Sequence, residues 1–510
     1  MEMIVATEER VSELANIEPE TPAEKLSEKS SPPPTKDEGR RTKDWICGVS
    51  SFILRPYHIA FQTRSEAAPL ISEREVRTRV FGLAWPVIGE NFLETLLGIV
   101  DTLLVAGLGA VAIAGVGSAL QVMFFMISAL SALAVGSAVL VAQAVGAGDL
   151  ARAGRLGRQS LLWSVLFSLP LTATGLVLSG PIIGLFGLEP QVAEIGTQYL
   201  QVTMGTVVVL VALFIGGGVL RGAGDARTPL RVTALANLLN VALAYGLIYG
   251  HFGLPALGPI GSAWATFLAR SFALVLLLTA LWRGRNGVSI SGRGGWRPDF
   301  GVARQVLSVG IPAALEQVLV SSGFLVLALV VARLGTEVLA AQRITFNALS
   351  LSFLPGIGFG IAATALVGQS VGARRIDEGQ AVARVATNWA VLWMSAITAL
   401  LIVFAPQIFH SFTSDAAVIE AGVPGLRVLA LTQPFWAVLF VQAGALRGTG
   451  NTRFPLLVTG TSIWAAVGLA FALLATVGGG LVSVWGAFLA VAPVMAFLMW
   501  RRFRRTVAEF

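Results

Sequence analysis

Three carboxylates stand in one apolar stretch of this chain: Glu90, Glu94 and Asp101. An ionisable side chain in hydrocarbon is costly and therefore marks a candidate site. At about 100° per residue, the three point within roughly 40° of one another on a helix. Such a stripe cannot face lipid, so it faces protein or water. Asp101 lies about seven residues, or roughly 10 Å, from the end of that helix and has no evident basic neighbour. A carboxyl group taken out of water without a cation favours its neutral form and can exchange a proton near neutral pH. That chemistry suits proton or cation coupling; a protonated Asp hydrogen-bonded for packing is the plainer reading. Glu94 has a candidate partner in Arg270, at similar depth in a later apolar run, as a structural ion pair. Glu90 and Glu316 sit at matching depths in the two halves of the chain, placed to line a vestibule or bind a cationic substrate. Asn237, Asn240 and Thr266 add polarity to the first half. Gln317, Arg343, Asn347, Gln433 and Gln442 add it to the second. Each is either a cavity group or an interhelical hydrogen bond.

The elements that position these groups are membrane spans. The chain has 510 residues, of which only 13% are charged, and a mean hydropathy of +0.76. A soluble domain carries about 25% charged residues. Runs of about 20 apolar residues, each enough to cross a bilayer, follow one another. Twelve spans are expected, at 80–108, 111–146, 154–179, 192–219, 229–251, 258–282, 303–334, 337–370, 382–405, 422–446, 455–477 and 482–500. The runs are continuous rather than alternating, which excludes a membrane β-barrel.

Arginines gather on the connections after the even-numbered spans, from Arg152, Arg155 and Arg158 to Arg501 and Arg505. The opposite connections carry little beyond Arg333 and Arg427. This bias places both termini and the basic loops in the cytoplasm. The net charge of +7 is a by-product of that orientation and does not point to nucleic acid. The single Cys47 excludes an intramolecular disulfide, and His58, His251 and His410 share no metal-ligand spacing.

Residues 1–75 read as a disordered cytoplasmic tail, since 1–43 hold many Glu, a Pro-rich stretch and all four lysines. Trp45 to Phe61 is apolar, short and interrupted by Pro56. It reads either as a segment lying on the membrane surface or as more of the tail. The rest divides into a first lobe at 76–284, a cytoplasmic loop at 285–302, a second lobe at 303–500 and a basic C-terminus at 501–510.

The two lobes repeat at an offset of 226 residues: Pro86 and Pro312, Glu90 and Glu316, Gln143 and Gln369, Gly146 and Gly372. Leu220-Arg221-Gly222 with Gly224 recurs as Leu446-Arg447-Gly448 with Gly450. An even number of spans per half makes this a parallel repeat, with a site expected between the lobes. Proline inside a helix removes a hydrogen bond and bends it. Pro86 and Pro312 thus read as fixed kinks or, for Pro86, as a hinge. The Arg-Gly-x-Gly motifs read as scaffold, glycine closing a helix and Arg complementing its C-terminus.

In order along twelve spans, these motifs resemble the multidrug and toxic compound extrusion (MATE) transporters. The resemblance covers 80–500 and rests on Pro86 with Val100-Asp101-Thr102, on 140–149, on Leu220 to Asp225 with Pro229, and on the echoes at 368–372 and 446–450. It implies an all-α membrane protein of two six-helix lobes that exports amphipathic, often cationic molecules on inward flow of protons or sodium. It further implies Asp101 as coupling residue, with Asn240 and Thr266 as partners. Many prokaryotic members carry a second Asp or Asn where this chain has Ala244, and Glu316 sits nearer its proline than in the sodium-coupled branch. Both departures favour protons and the DinF-like branch.

The expected function is a proton-favoring efflux antiporter in a prokaryotic inner membrane, a monomer whose partners are small molecules and membrane lipid, with no cofactor beyond the coupling ion. A flippase or exporter of lipid-linked or endogenous metabolites is the alternative. An enzyme is disfavoured, because the sequence has no His-Glu-x-x-His, no Gly-x-Ser-x-Gly and no nucleotide-binding Gly-Lys-Ser/Thr loop.

Overall fold

The structure, a computed structural model, describes residues 72–284, 286–292 and 294–509. Trp45 to Phe61 and the tail up to residue 71 lie outside the described residues. The first half forms α1 (Glu73–Ala106), α2 (Ala110–Gly146), α3 (Leu150–Gly184), α4 (Pro190–Gly205), α5 (Val207–Gly222), α6 (Arg227–Tyr249) and α7 (Pro259–Trp282). The second forms α8 (Phe300–Ala332), α9 (Thr336–Gly372), α10 (Ile376–Val403), α11 (Ala405–Phe412), α12 (Ala416–Ala430), α13 (Gln433–Gly448), α14 (Arg453–Thr476) and α15 (Gly480–Ala508).

Eight of these helices are each long and apolar enough to cross a bilayer, and counting each bent pair as one span gives ten. The carboxylate-bearing α1 and the 37-residue α2 complete twelve rods. The bent pairs are α4 with α5, at 49°, and α12 with α13, at 46°. Pro434, which has no N–H to donate, starts α13 and explains the second break. At the first, Gly205 ends α4 and the Thr206 hydroxyl bonds back to the carbonyls of Val202 and Thr203.

Three boundaries differ from the sequence reading. Ser72 accepts from the Glu75 amide and caps α1, so the helix starts inside the expected tail. The C-terminus is no separate segment, because α15 carries Arg501 to Arg505 out to Ala508. The inter-lobe connection ends at α8, which is capped by Asp299. It is also tied to α3: the Gln159 amide donates to the carbonyls of Gly295 and Arg297 at 2.6 Å each and accepts from the Asp299 amide at 2.9 Å. Val288 and Ile290, within the connection, are buried.

The lobes interlock at the end bearing the basic connections. The start of α1 joins the core of the second lobe through Val76, Val80 and Leu83. Phe81 packs edge-on against Phe359 and Trp389. Arg79 pairs with Glu378 on α10. Where α2 crosses α9, a Cβ on Gly146 would overlap the Gln369 carbonyl, and one on Gly372 would overlap that of Gln143. The same two glutamines reach across reciprocally. Gln143 donates to the Gly448 carbonyl at 3.0 Å, and Gln369 donates to that of Gly222 at 2.9 Å. Each thus satisfies a carbonyl in the last turn of a helix in the opposite lobe. Replacing both glutamines by Ala is expected to weaken this contact by about 1 kcal/mol per bond. A lower melting temperature in detergent would register it; an unchanged one would remove the bonds from the account of lobe contact.

Candidate functional site

A cavity of about 850 Å³ lies between the lobes and takes side chains from both. The contacts just described hold the lobes together at the basic end. The cavity reaches along α1 from Glu90 to Asp101, away from that end.

Its floor is built by the repeat. Arg221 of α5 donates to both carboxylate oxygens of Glu90, at 3.1 and 3.0 Å. Arg447 of α13 donates to Glu316 of α8 at 2.8 Å. Acid and base recur at the same offset, so the same pair forms once in each lobe. The Arg of each Arg-Gly-x-Gly motif therefore neutralises a membrane carboxylate, a role beyond complementing its own helix end. Gly224 and Gly450, at φ +85° and +90°, close those helices as glycine does best.

Higher in the first lobe, α1 presents Asp101 to the cavity, and both of its oxygens lie within hydrogen-bond reach of the Ser262 hydroxyl, at 2.7 and 2.8 Å. Asn240 of α6 donates to Thr266 of α7 at 3.1 Å, and both line the cavity. The three groups expected to act together share one wall, but Asn240 and Thr266 bond each other and neither bonds Asp101. Ala244, one turn further along α6, is fully buried and adds no ligand. Asn237 spends its amide on the Leu93 carbonyl at 2.8 Å, joining α6 to α1.

Glu94 and Arg270 both line the cavity and interact electrostatically. Among the described residues, however, no ion pair within 4 Å joins them. The expected structural pair is open in this conformation.

In the second lobe, Gln317 lines the cavity beside Glu316. Gln433 and Asn347 do not. Gln433 is fully buried and accepts from Ser352 at 2.9 Å, while Asn347 is exposed on α9 outside the cavity lining. Gln442 likewise points into packing and donates to Thr387. Depth in a span could be counted from the sequence; the face each helix turns to the cleft could not. The wall opposite the first-lobe acids is aromatic instead, with Phe353, Trp436 and Phe440 in mutual ring contact.

The sequence reading missed Ser262 and Tyr199, a buried residue of α4 that also lines the cavity. It also missed both arginine partners. The arginines carried a usable signal: Glu90 and Arg221 have the same spacing as Glu316 and Arg447. The serine and the tyrosine carried none, because their neighbours come from other helices.

Two repeated lobes of membrane-crossing helices around a charged internal cavity define a multi-pass membrane transporter, not an enzyme. The chain belongs to the MatE family, whose model matches it twice, at residues 86–246 and 312–474. It is 33% identical over 417 residues to a probable multidrug resistance protein NorM of Thermotoga maritima, covering 81% of this chain and 88% of that one. It is 30% identical to the multidrug resistance protein PmpM of Pseudomonas aeruginosa, over 78% of this chain and 85% of that one. A solved structure described as the outward-facing conformation of a multidrug resistance MATE family transporter matches the fold with a TM-score of 0.79 at 23% identity, covering 87% of this chain and 99% of that one.

Proposed function

We propose that this protein exports amphipathic, cationic small molecules by alternating access, as an antiporter driven by an inward cation gradient, protons in preference to sodium. The observation that carries the reading is the position of Asp101. Its carboxylate lies in the cavity between the lobes, held by the Ser262 hydroxyl and, among the described residues, joined to no cation within 4 Å. A proton arriving on Asp101 removes a charge from the cavity and changes what Ser262 donates to. Substrate cation and proton then compete for the same wall, and only unequal affinity for the two facing states drives the cycle. Protons are favoured over sodium because Ala244, one turn beyond Asn240, brings no second oxygen ligand to this wall.

Positive-inside bias puts the basic, interlocked end in the cytoplasm of a prokaryotic inner membrane, with the C-terminus on that side. The cavity then faces outward in this conformation, and opening inward requires parting α2 from α9. The relatives named as multidrug resistance proteins support a broad range of substrates.

Asp101→Asn is expected to abolish efflux driven by a pH gradient in proteoliposomes while the protein still purifies as a folded monodisperse species. Unchanged transport would remove Asp101 from the coupling step. Wild-type efflux that follows an imposed sodium gradient and ignores a proton gradient would reverse the choice of ion.

A further inference from the structure

Among the described residues three arginines line the cavity, and two are occupied: Arg221 by Glu90 and Arg447 by Glu316. The third, Arg270 of α7, has no hydrogen bond or ion pair with any described residue. Arg270 is half-buried and lines the cavity. Glu94 of α1 is exposed, lines the cavity and likewise has no bonded partner among the described residues. Arg270 interacts electrostatically with Glu94 first, then with Tyr199 and Asp101. Opposite charges this near one another, inside a membrane protein, would ordinarily close into a pair. Here both line the cavity and, among the described residues, no ion pair within 4 Å joins them.

We propose that Glu94 and Arg270 are a split ion pair that receives zwitterionic amphiphiles, Arg270 taking a substrate carboxylate and Glu94 its cationic group. The inference deepens the transport reading given above and rests on it. A guanidinium presents a planar fork of donors that matches a carboxylate bidentately, which an ammonium does not. Among the described arginines of this cavity, only Arg270 has no hydrogen bond or ion pair on that fork. The aromatic wall of Phe353, Trp436 and Phe440 supplies a surface for the apolar body of the ligand. Arg270 is on this account the specificity-determining residue: it admits carboxylate-bearing molecules to a cavity whose other unpaired charges, Glu94 and Asp101, select cations.

The test compares rhodamine B, a zwitterion, with its ethyl ester, a monocation on the same ring system, binding to the purified full-length protein by fluorescence polarisation. The readout is the ratio of the two Kd values, acid over ester. Arg270→Gln is expected to raise that ratio about tenfold, as the loss of a charge-assisted bidentate contact does. Arg270→Lys, which keeps the charge without the fork, should raise it less. Glu94→Gln removes the group that takes the cation common to both dyes, so it should weaken both and leave the ratio near that of wild type. An unchanged ratio in both Arg270 variants, or unchanged affinity for both dyes in Glu94→Gln, overturns the split pair and leaves the transport reading standing. Wild-type protein that binds neither dye overturns both. Should Arg270→Gln fail to fold, Arg270→Lys and Glu94→Gln still decide, the first by the ratio and the second by the loss of both affinities.

Discussion

Valine at position 146 is expected to abolish transport, by preventing the lobes from closing at their basic end. Gly146 and Gly372 lie where α2 crosses α9, and a Cβ on either would run into a backbone carbonyl of the opposite helix. Backbone cannot rotate away as a side chain does, so relief requires the helices to separate. Separation also breaks the bonds from Gln143 to Gly448 and from Gln369 to Gly222. Overpacking costs about 1–3 kcal/mol, and at the upper end it displaces a two-state equilibrium by roughly a hundredfold. The protein should then rest with the lobes parted at this end, trapped rather than unfolded. A cysteine placed at Leu97 in the cavity, in a background with Cys47 replaced, would report it. Labelling from the outer face should fall, and labelling from the cytoplasmic face should rise. Gly372→Val should do the same, because the crossing is symmetric. Normal efflux by either variant would show that the crossing opens and closes without close helix contact.

Removing Arg447 is the second large effect expected. Its partner Glu316 has a side chain only 7% exposed, so Arg447→Ala leaves a carboxylate without a cation inside the protein. Breaking a buried pair from one side costs about 3–5 kcal/mol, whereas replacing both members with neutral groups costs far less. Arg447→Gln with Glu316→Gln should therefore melt closer to wild type than Arg447→Ala alone. In the first lobe the equivalent side chains of Arg221 and Glu90 are 16% and 14% exposed, and removal of Arg221 should cost less. Melting temperatures in detergent for the single and double variants form a cycle that isolates each pair. Additive losses would mean that the two charges act independently and that the repeated pairs are not the floor of the cavity. The comparison also separates stability from transport, since the double variant retains a folded protein on which efflux can be measured.

Much of this arrangement was legible in the residues. Glu90, Glu94 and Asp101 announced a polar face on α1, since hydrocarbon tolerates no such stripe. The constant offset announced two lobes with a cleft between them. Pro434 could have marked the break before α13, had proline at a helix start been weighed against a continuous apolar run. The break at Thr206 could not, because Gly and Thr occur throughout these helices. Asn347 and Gln433 were placed at a plausible depth and on the wrong face. An apolar run almost uniform around the helix fixes length but not rotation about its axis.

What the sequence determined by itself is whatever depends on the solvent or on chain periodicity: the membrane, the spans, the repeat and the acidic face of the first helix. Bilayer thickness and the cost of charge in hydrocarbon act on each segment alone, so those features can be read one segment at a time. The tertiary structure decided the partners. That Arg221 and Arg447 neutralise Glu90 and Glu316, that Ser262 rather than Asn240 bonds Asp101, and that Arg270 stands open beside Glu94 all depend on how separate helices rotate and cross. Those rotations are set by close contacts such as Gly146 against Gln369, between residues 223 positions apart, which no local pattern encodes.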